Sequence, residues 1–498
     1  MTLSFAKKMR SLILQSKDTT SLNTYRQWVA SKEYLAKLYQ LPKTILKQRK
    51  LDLNKLEQQS NELEKKLAKK FQGFANQLLL KPTTLQQIQQ RLQPDELAIE
   101  VIRAINTEKI NKTSYGVILI SGDKTKKPKF IQLKNSALLD TRFLKYYRQT
   151  AKFKRKDRFS YAQFWQPIQE AIAQLMPQLP KTIYFAADGC YNQINIQTLQ
   201  NPKTKQYLLD QYQIYFVSGL KEIPMLKKRF QTTFTTKNKA VLLGRPLYKV
   251  SEKSAPTKIS KQRGDKNFGS DQNQRQLSNV TFSDLPGTEK EVEEINQILQ
   301  NNGWQTTKLI GEKAREKSIK QIVNPDILHI ATHGFFITTP RMKQFGQLSY
   351  NSDIEYHGPM LRSGLILTGA SNPNNVFTAE ETDANAEDGI LTAYEVTNLR
   401  LEKTKLVVLS ACETGLGDFR VGEGIYGLQR ALKIAGAQNL VMSLWKVDDQ
   451  ATQELMVNFY RNITKTDDLR QAFRAAQQQL KKTYPHPHFW GAFVLLGR

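Results

Sequence analysis

The stretch Thr404-Lys-Leu-Val-Val-Leu-Ser-Ala-Cys412-Glu-Thr-Gly-Leu-Gly417 decides how this chain is read. It opens with an uncharged run, Leu406 to Leu409, that holds two β-branched residues, the pattern of a strand buried on both faces. It then breaks into small residues and glycines, with a cysteine at the break. A strand that stops on a nucleophile puts a thiol at the carboxyl edge of a sheet, where open α/β sheets hold their chemistry. A second stretch has the same construction. Asp326-Ile-Leu-His-Ile-Ala-Thr-His333-Gly-Phe-Phe336 is an apolar strand that ends on a histidine and then a glycine. Cysteine and histidine at the ends of two strands are the minimal set for a thiol nucleophile and its base. A cysteine near a strand is otherwise a small buried hydrophobe. Two details stand against that: the strand stops at Cys412, and His333 holds the matching place beside Gly334, which lets backbone approach a ligand.

The chain has 498 residues, 40% of them hydrophobic, which predicts two or three domains with substantial cores. Cys190 and Cys412 are its only cysteines. That excludes a disulfide framework and predicts a reducing, cytoplasmic setting. No run approaches the length of a membrane span, so no membrane partner is expected. Met1 to Ser16 mixes Lys7, Lys8 and Arg10 with a short Leu12-Ile-Leu piece and does not read as a signal peptide. The net charge of +29 favours an acidic partner such as nucleic acid. The excess is spread out, with 17 Lys/Arg against 6 Asp/Glu in residues 1–90 and no compact Arg-rich motif there. A solvated basic surface is the simpler reading.

Residues 1–91 read as two or three long amphipathic helices, with Leu51, Leu53, Leu56, Leu63 and Leu67 at three- and four-residue steps. Their apolar stripe needs a partner, either the rest of the chain or another protein. Residues 92–235 read as one α/β unit: strand runs at 96–105, 115–120 and 130–133, a helix near 164–175, and a strand from Lys181 that ends at Asp188-Gly189. Residues 236–498 form a second unit in which strand and helix alternate, which argues for a mostly parallel sheet covered on both faces. A polar, basic insert at about 250–280 has too few apolar residues to pack. It is expected to be unstructured, and is either a tolerated surface insertion or a candidate for self-cleavage. The connection from Thr338 to about Ala386 is long and carries an acidic run that includes Glu387 and Asp388. Helices are expected at 289–299, 314–322, 424–435 and 451–461.

Other chemistries fit less well. His329 and His333 share a strand face but stand too far apart to chelate one ion comfortably, and no His-Glu-x-x-His is present. His329 reads as a core histidine. No Gly-Lys-Ser/Thr follows the glycines at 415–424, so a phosphate loop is excluded. Cys190 has no matching histidine and reads as structural. No metal or other cofactor is expected.

Several ordered motifs resemble the CHAT domain: His329-Ile-Ala-Thr-His333-Gly-Phe-Phe, Leu409-Ser-Ala-Cys412-Glu-Thr-Gly, Gly422-Glu-Gly-Ile-Tyr-Gly-Leu-Gln-Arg-Ala-Leu, Ser443-Leu-Trp-Lys-Val-Asp-Asp449 and Phe489-Trp-Gly-Ala-Phe. Ala187-Asp-Gly, Leu285-Pro-Gly and Gly311-Glu-Lys-Ala fit as well. The resemblance covers about 92–498 and implies a caspase-like cysteine peptidase related to separase. It implies a caspase-like, mostly parallel sheet sandwiched by helices at 236–498. An inactive, protease-like α/β half at 92–235 and the helical segment would precede it. It implies His333 and Cys412 as the catalytic dyad and the backbone N–H groups of Gly334 and Cys412 as the oxyanion hole. The likeness to separase suggests a pocket for a basic residue, with Asp448 or Asp449 as its acid and Asp388 as a supplement. Adjacent residues on an extended chain point to opposite faces, so at most one of the pair should line the pocket. An Asp here equally suits a helix cap, a role that Asp449 could fill. Lys446 departs from relatives, which often hold Pro or Asp there. No repeat array precedes the domain.

Two functions follow. One is a cysteine endopeptidase acting on a protein substrate, regulated by a protein or nucleoprotein partner through the N-terminal helices. The other is a non-catalytic scaffold with a protease fold that binds protein or nucleic acid.

Overall fold

The structure is a computed structural model that describes residues 13, 18–38, 46, 51–77, 83–106, 112–226, 234, 238–250, 282–336, 359–371, 387–411, 418–420, 424–446 and 448–497. The strands of its first part are β1 (Glu96–Asn106), β2 (Lys112–Ser121), β3 (Lys129–Gln132), β4 (Thr182–Ala186) and β5 (Gln213–Val217). Then come β6 (Lys239–Pro246), β7 (Gln305–Gly311), β8 (Ile327–Ala331), β9 (Gly334–Phe336), β10 (Ser363–Ile366) and β11 (Ile390–Thr392). The last are β12 (Leu406–Ser410), β13 (Asp418–Arg420), β14 (Gly424–Tyr426), β15 (Asn439–Ser443) and β16 (Phe493–Gly497). Eleven of them form one sheet in the order β3-β2-β1-β4-β5-β16-β15-β12-β8-β6-β7. It is parallel except where β2 joins β1 and β3 and where β16 joins β15.

Every residue of β8, β12 and β15 is buried, as their uncharged sequences require. Successive side chains face different cores. Leu406 and Val408 pack with Val292, Ile295 and Leu299 of helix α5 (Pro286–Asn301) and with Leu455 and Phe459 of α9 (Asp449–Ile463). Val407 and Leu409 pack with Val396 of α7 (Ala393–Val396) and with Leu428 and Leu432 of α8 (Leu428–Ala435). Each such side chain contributes about 1.5–3 kcal/mol by leaving water.

The helix starts expected at 289, 314, 424 and 451 lie at Pro286, Glu316, Leu428 and Asp449. The stretch at 424–426 is β14, paired with β13, and α8 begins only at Leu428. Glycines at 422, 424 and 427 make this stretch a poor helix former. Helix α9 begins at Asp449, two residues before the expected 451. The strand β16 lies between β5 and β15 and joins the two α/β units, and Phe493 shares one core cluster with Phe185 and Phe216. The N-terminal helices α1 (Thr19–Leu38) and α2 (Leu53–Gln77) form an antiparallel hairpin, since Asp18 pairs with Lys70 while Ser31 bonds Ser60. Tyr25 of α1 and Leu67 of α2 meet in a small core. The insert at 250–280 lies outside the described residues apart from Val250, and so does the 338–386 connection apart from 359–371 and the small strand β10.

Candidate active site

β8 and β12 are parallel neighbours at the centre of the second unit, with Ala331 opposite Ser410. His333 follows Ala331 by two residues. Cys412 follows Ser410 by two and lies outside the described residues. The residue before it is held in place: Ser443, at the end of β15, donates its hydroxyl to the carbonyl of Ala411.

His333 is 7% exposed, and contacts fix it on several sides. Its carbonyl accepts the N–H of Ile366 at 2.9 Å. Its ring packs against Tyr248, 5.1 Å between centroids, and Phe282, 5.8 Å, which also meet each other at 5.9 Å. Nε2 donates to the carbonyl of Ser283 at 2.9 Å. A carbonyl only accepts, so the neutral ring carries its hydrogen on Nε2 and Nδ1 is the basic nitrogen.

The loop bearing Ser283 is clamped by Arg245, at the end of β6. The guanidinium meets Asp284 with two bonds, 3.1 and 2.9 Å, and Glu289 with one of 2.6 Å. These carboxylates raise the pKa of Arg245. Arg245 has φ 41°, in the left-handed region that non-glycine residues rarely occupy, and the register of β6 against β7 slips beside it. Next to it, a Cβ on Gly244 would stand 2.6 Å from the carbonyl of Thr288, so only glycine lets α5 start this close to β6.

Gly334 opens β9, the end strand of the small sheet β11-β10-β9, and stands opposite Leu365. The neighbouring bond runs from Ile366 N–H to His333 C=O, so Gly334 is at a non-hydrogen-bonded position. Its own N–H is therefore turned away from β10.

The three candidate pocket acids make different contacts. Asp448 is the N-cap of α9, its Oδ1 accepting the N–H of Ala451 at 3.1 Å. The cap is thus Asp448 and not Asp449, because the chain turns helical one residue after it. Asp449 lies on the first turn, its Cβ 3.9 Å from the position a Cβ would take on Gly287. The contacts of Asp388 run elsewhere. It accepts the N–H of Ile390 at 2.8 Å, and its pKa is held well above the carboxylate range by loss of hydration and then by Glu316 and Glu395. Upstream of Asp448, Trp445 donates through Nε1 to the carbonyl of His488 at 3.0 Å, and its ring meets Tyr147 of residues 92–235 at 6.2 Å.

His329 is fully buried, with Nε2 3.1 Å from Glu291 and Nδ1 3.2 Å from the Tyr460 hydroxyl, the setting of a core histidine. Cys190 is buried, and burial pushes its thiol pKa up. Sequence reasoning missed Arg245, Tyr248, Phe282 and Ser283. The Arg-Pro end of β6 and the Leu285-Pro-Gly turn were the available signals. Among the described residues, no helix is long and apolar enough to cross a membrane.

The chain is similar to several known proteins. Tetratricopeptide repeat protein 28 of Homo sapiens is 26% identical over 221 residues, covering 43% of this chain and 8% of that protein; the Mus musculus protein matches at 26% over 223 residues. The chain spans under a tenth of the length of these curated relatives. Among solved structures, the Saccharomyces cerevisiae separase in its complex with securin is 8% identical, with 83% of this chain and 30% of that chain covered and a TM-score of 0.43. The Arg-specific cysteine proteinase gingipain R of Porphyromonas gingivalis is 9% identical, with 72% and 73% covered and a TM-score of 0.34. The family model described as the CHAT domain matches residues 160–498. That span takes in every motif from the Asp188-Gly189 strand end to the last strand, and the chain therefore belongs to the CHAT domain family.

Proposed function

We propose that this protein is a cysteine endopeptidase. Cys412, as thiolate, attacks the scissile carbonyl, and His333 takes the thiol proton and later gives it to the leaving amine; water then hydrolyses the thioester. The observation that carries this reading is the register of β8 against β12. With Ala331 opposite Ser410, His333 and Cys412 are each two residues on from one paired position. Two residues reach at most ~7 Å, and adjacent strands are ~4.8 Å apart. The Ser283 carbonyl supports the assignment twice, since it leaves Nδ1 as the base and stabilises the imidazolium formed when that base takes its proton. The N–H groups of Gly334 and Cys412 would bind the oxyanion, each contributing ~3 kcal/mol.

A preference for Arg or Lys before the scissile bond is part of the same proposal, with Asp448, Asp449 and Asp388 as the candidate acids. A carboxylate in a partly dry pocket favours Arg through two parallel hydrogen bonds. The N-terminal helices are the surface through which a regulatory protein would act.

A peptidyl thiol-reactive probe ending in Arg tests the reading. It should label wild type at Cys412, while Cys412→Ala and His333→Ala each lose turnover by ~1,000-fold or more, with the double variant little worse than either alone. Full turnover in Cys412→Ala would sink the dyad mechanism. A folded protein in which Cys412 reacts with a small alkylating reagent but never with the peptidyl one would leave the non-catalytic scaffold.

A further inference from the structure

The turn that follows helix α3 (Leu144–Lys152) reads Lys152-Phe-Lys-Arg-Lys-Asp-Arg-Phe159. Its five cations are exposed. Its one carboxylate, Asp157, is engaged inside the turn, where Oδ1 accepts the N–H groups of Phe159 and Ser160 at 3.1 and 2.9 Å. Two aromatic side chains stand out among the cations, Phe153 at 54% and Phe159 at 57% exposure. Lys152 and Arg155 lie 5.4 and 5.5 Å from the Phe153 ring centre, and Tyr146 meets Phe159 edge-on at 5.4 Å. A cleft of about 240 Å³ opens beside them, lined by Lys156, Asp157, Arg158, Tyr161, Gln200 and Lys205.

The turn is held rigid. Lys154 lies 4.4 Å from the Phe489 ring centre, and His486 donates through Nε2 to the carbonyl of Arg155 at 3.1 Å. Cations fixed this close repel one another, and a polyanion relieves that repulsion. The chemistry of the polyanion follows from the phenylalanines. Rings placed between cations suit unstacked bases strung along phosphates. A duplex keeps its base faces hidden, and an acidic peptide offers no planar ring at each charge.

We propose that this face binds single-stranded nucleic acid, with phosphates on the Lys and Arg side chains and bases on Phe153 and Phe159. The site is separate from the proposed dyad and does not depend on peptidase activity.

Fluorescence anisotropy of the full chain with a labelled single strand of about 16 nucleotides tests it. The triple variant Arg155→Glu, Lys156→Glu, Arg158→Glu should weaken binding at least ~10-fold and lower the slope of log affinity against log salt by ~2. Phe153→Ala with Phe159→Ala should weaken it ~10-fold with little change in that slope. A charge-matched control on the turn between β2 and β3, Lys124→Glu, Lys126→Glu, Lys127→Glu, should shift affinity less than ~3-fold. The substituted side chains are exposed, so melting curves should match wild type. Should the glutamate triple melt early, Arg155→Gln with Arg158→Gln replaces it and should still weaken binding. Absence of wild-type binding at moderate salt would overturn the proposal. Equal losses in patch and control variants would do the same by pointing to diffuse charge. An unaffected phenylalanine variant, or polyglutamate competing as well as the oligonucleotide, would assign the face to acidic protein instead.

Discussion

Nε2 of His333 can reach the Ser283 carbonyl only while the loop at 282–285 stays where Arg245 holds it. A guanidinium forks onto a carboxylate in one plane, and an ammonium cannot. Arg245→Lys should therefore lower kcat ~10- to 100-fold with KM little changed, as expected when a base is misplaced but binding is not. Steady-state kinetics of Arg245→Lys and Arg245→Ala check this, and equal activity in Arg245→Lys would remove the positioning role. Asp448 allows a second separation. Asparagine caps helices as well as aspartate but carries no charge. Asp448→Asn should keep the melting temperature yet relax any preference for Arg, while Asp448→Ala should also cost ~1 kcal/mol of stability. A peptide library read beside thermal melts distinguishes the two effects. His333 and Gly334 were legible because each is marked by the end of an apolar run. Arg245 was not, because its partner Asp284 lies 39 residues on, across a polar insert.

At the scale of elements, helix α1 docks on the second unit through charge. Glu33 accepts the side-chain amide of Asn398 at 2.8 Å, beside Lys320, which pairs with Glu316 at 3.0 Å and Glu395 at 2.9 Å. Burial works against the charge on Lys320, but Glu395, Glu316 and Glu33 together hold its pKa up. Asp388 and Lys37 complete the cluster. Loss of hydration raises the pKa of Glu33, only partly offset by Lys320, and Asp388 is raised likewise. A carboxyl whose pKa is higher folded than unfolded binds more protons in the folded state. Stability then falls as pH rises from the ordinary carboxylate value through the raised one, and is fullest below that window. Glu33→Gln and Asp388→Asn should each raise the urea midpoint at neutral pH, with the gain shrinking in mildly acid buffer. A gain independent of pH would show that ionisation of these groups is not what limits docking. The period of the hairpin partner α2 was readable from its leucines; this cluster was not, because its members come from four separate stretches of chain.

At the scale of the molecule, the alternation of strands and helices was legible, and Trp490-Gly-Ala-Phe-Val-Leu-Leu was legible as a strand. Its address was not. Hydrophobic pattern says that a strand is buried but not which neighbours bury it. Because β16 pairs with both β5 and β15 and one core cluster crosses the seam, the two units should melt in a single calorimetric transition. Two separate transitions would show that the seam carries little energy. Phe493→Ala should cost ~3–5 kcal/mol and lower the temperature at which both units unfold.

The position of β16 also orders events in time. Every other strand of the sheet is encoded before it, yet two of them, β5 and β15, wait for it with one edge each unpaired. During synthesis both edges are open templates for other chains, and they close together when a single five-residue segment arrives. The strand leading to Cys412 lies directly beyond β15 in the same sheet. A nascent chain would thus complete the sheet beside the strand that leads to Cys412 only after β16 has been made, and the proposed peptidase would stay incompetent until then.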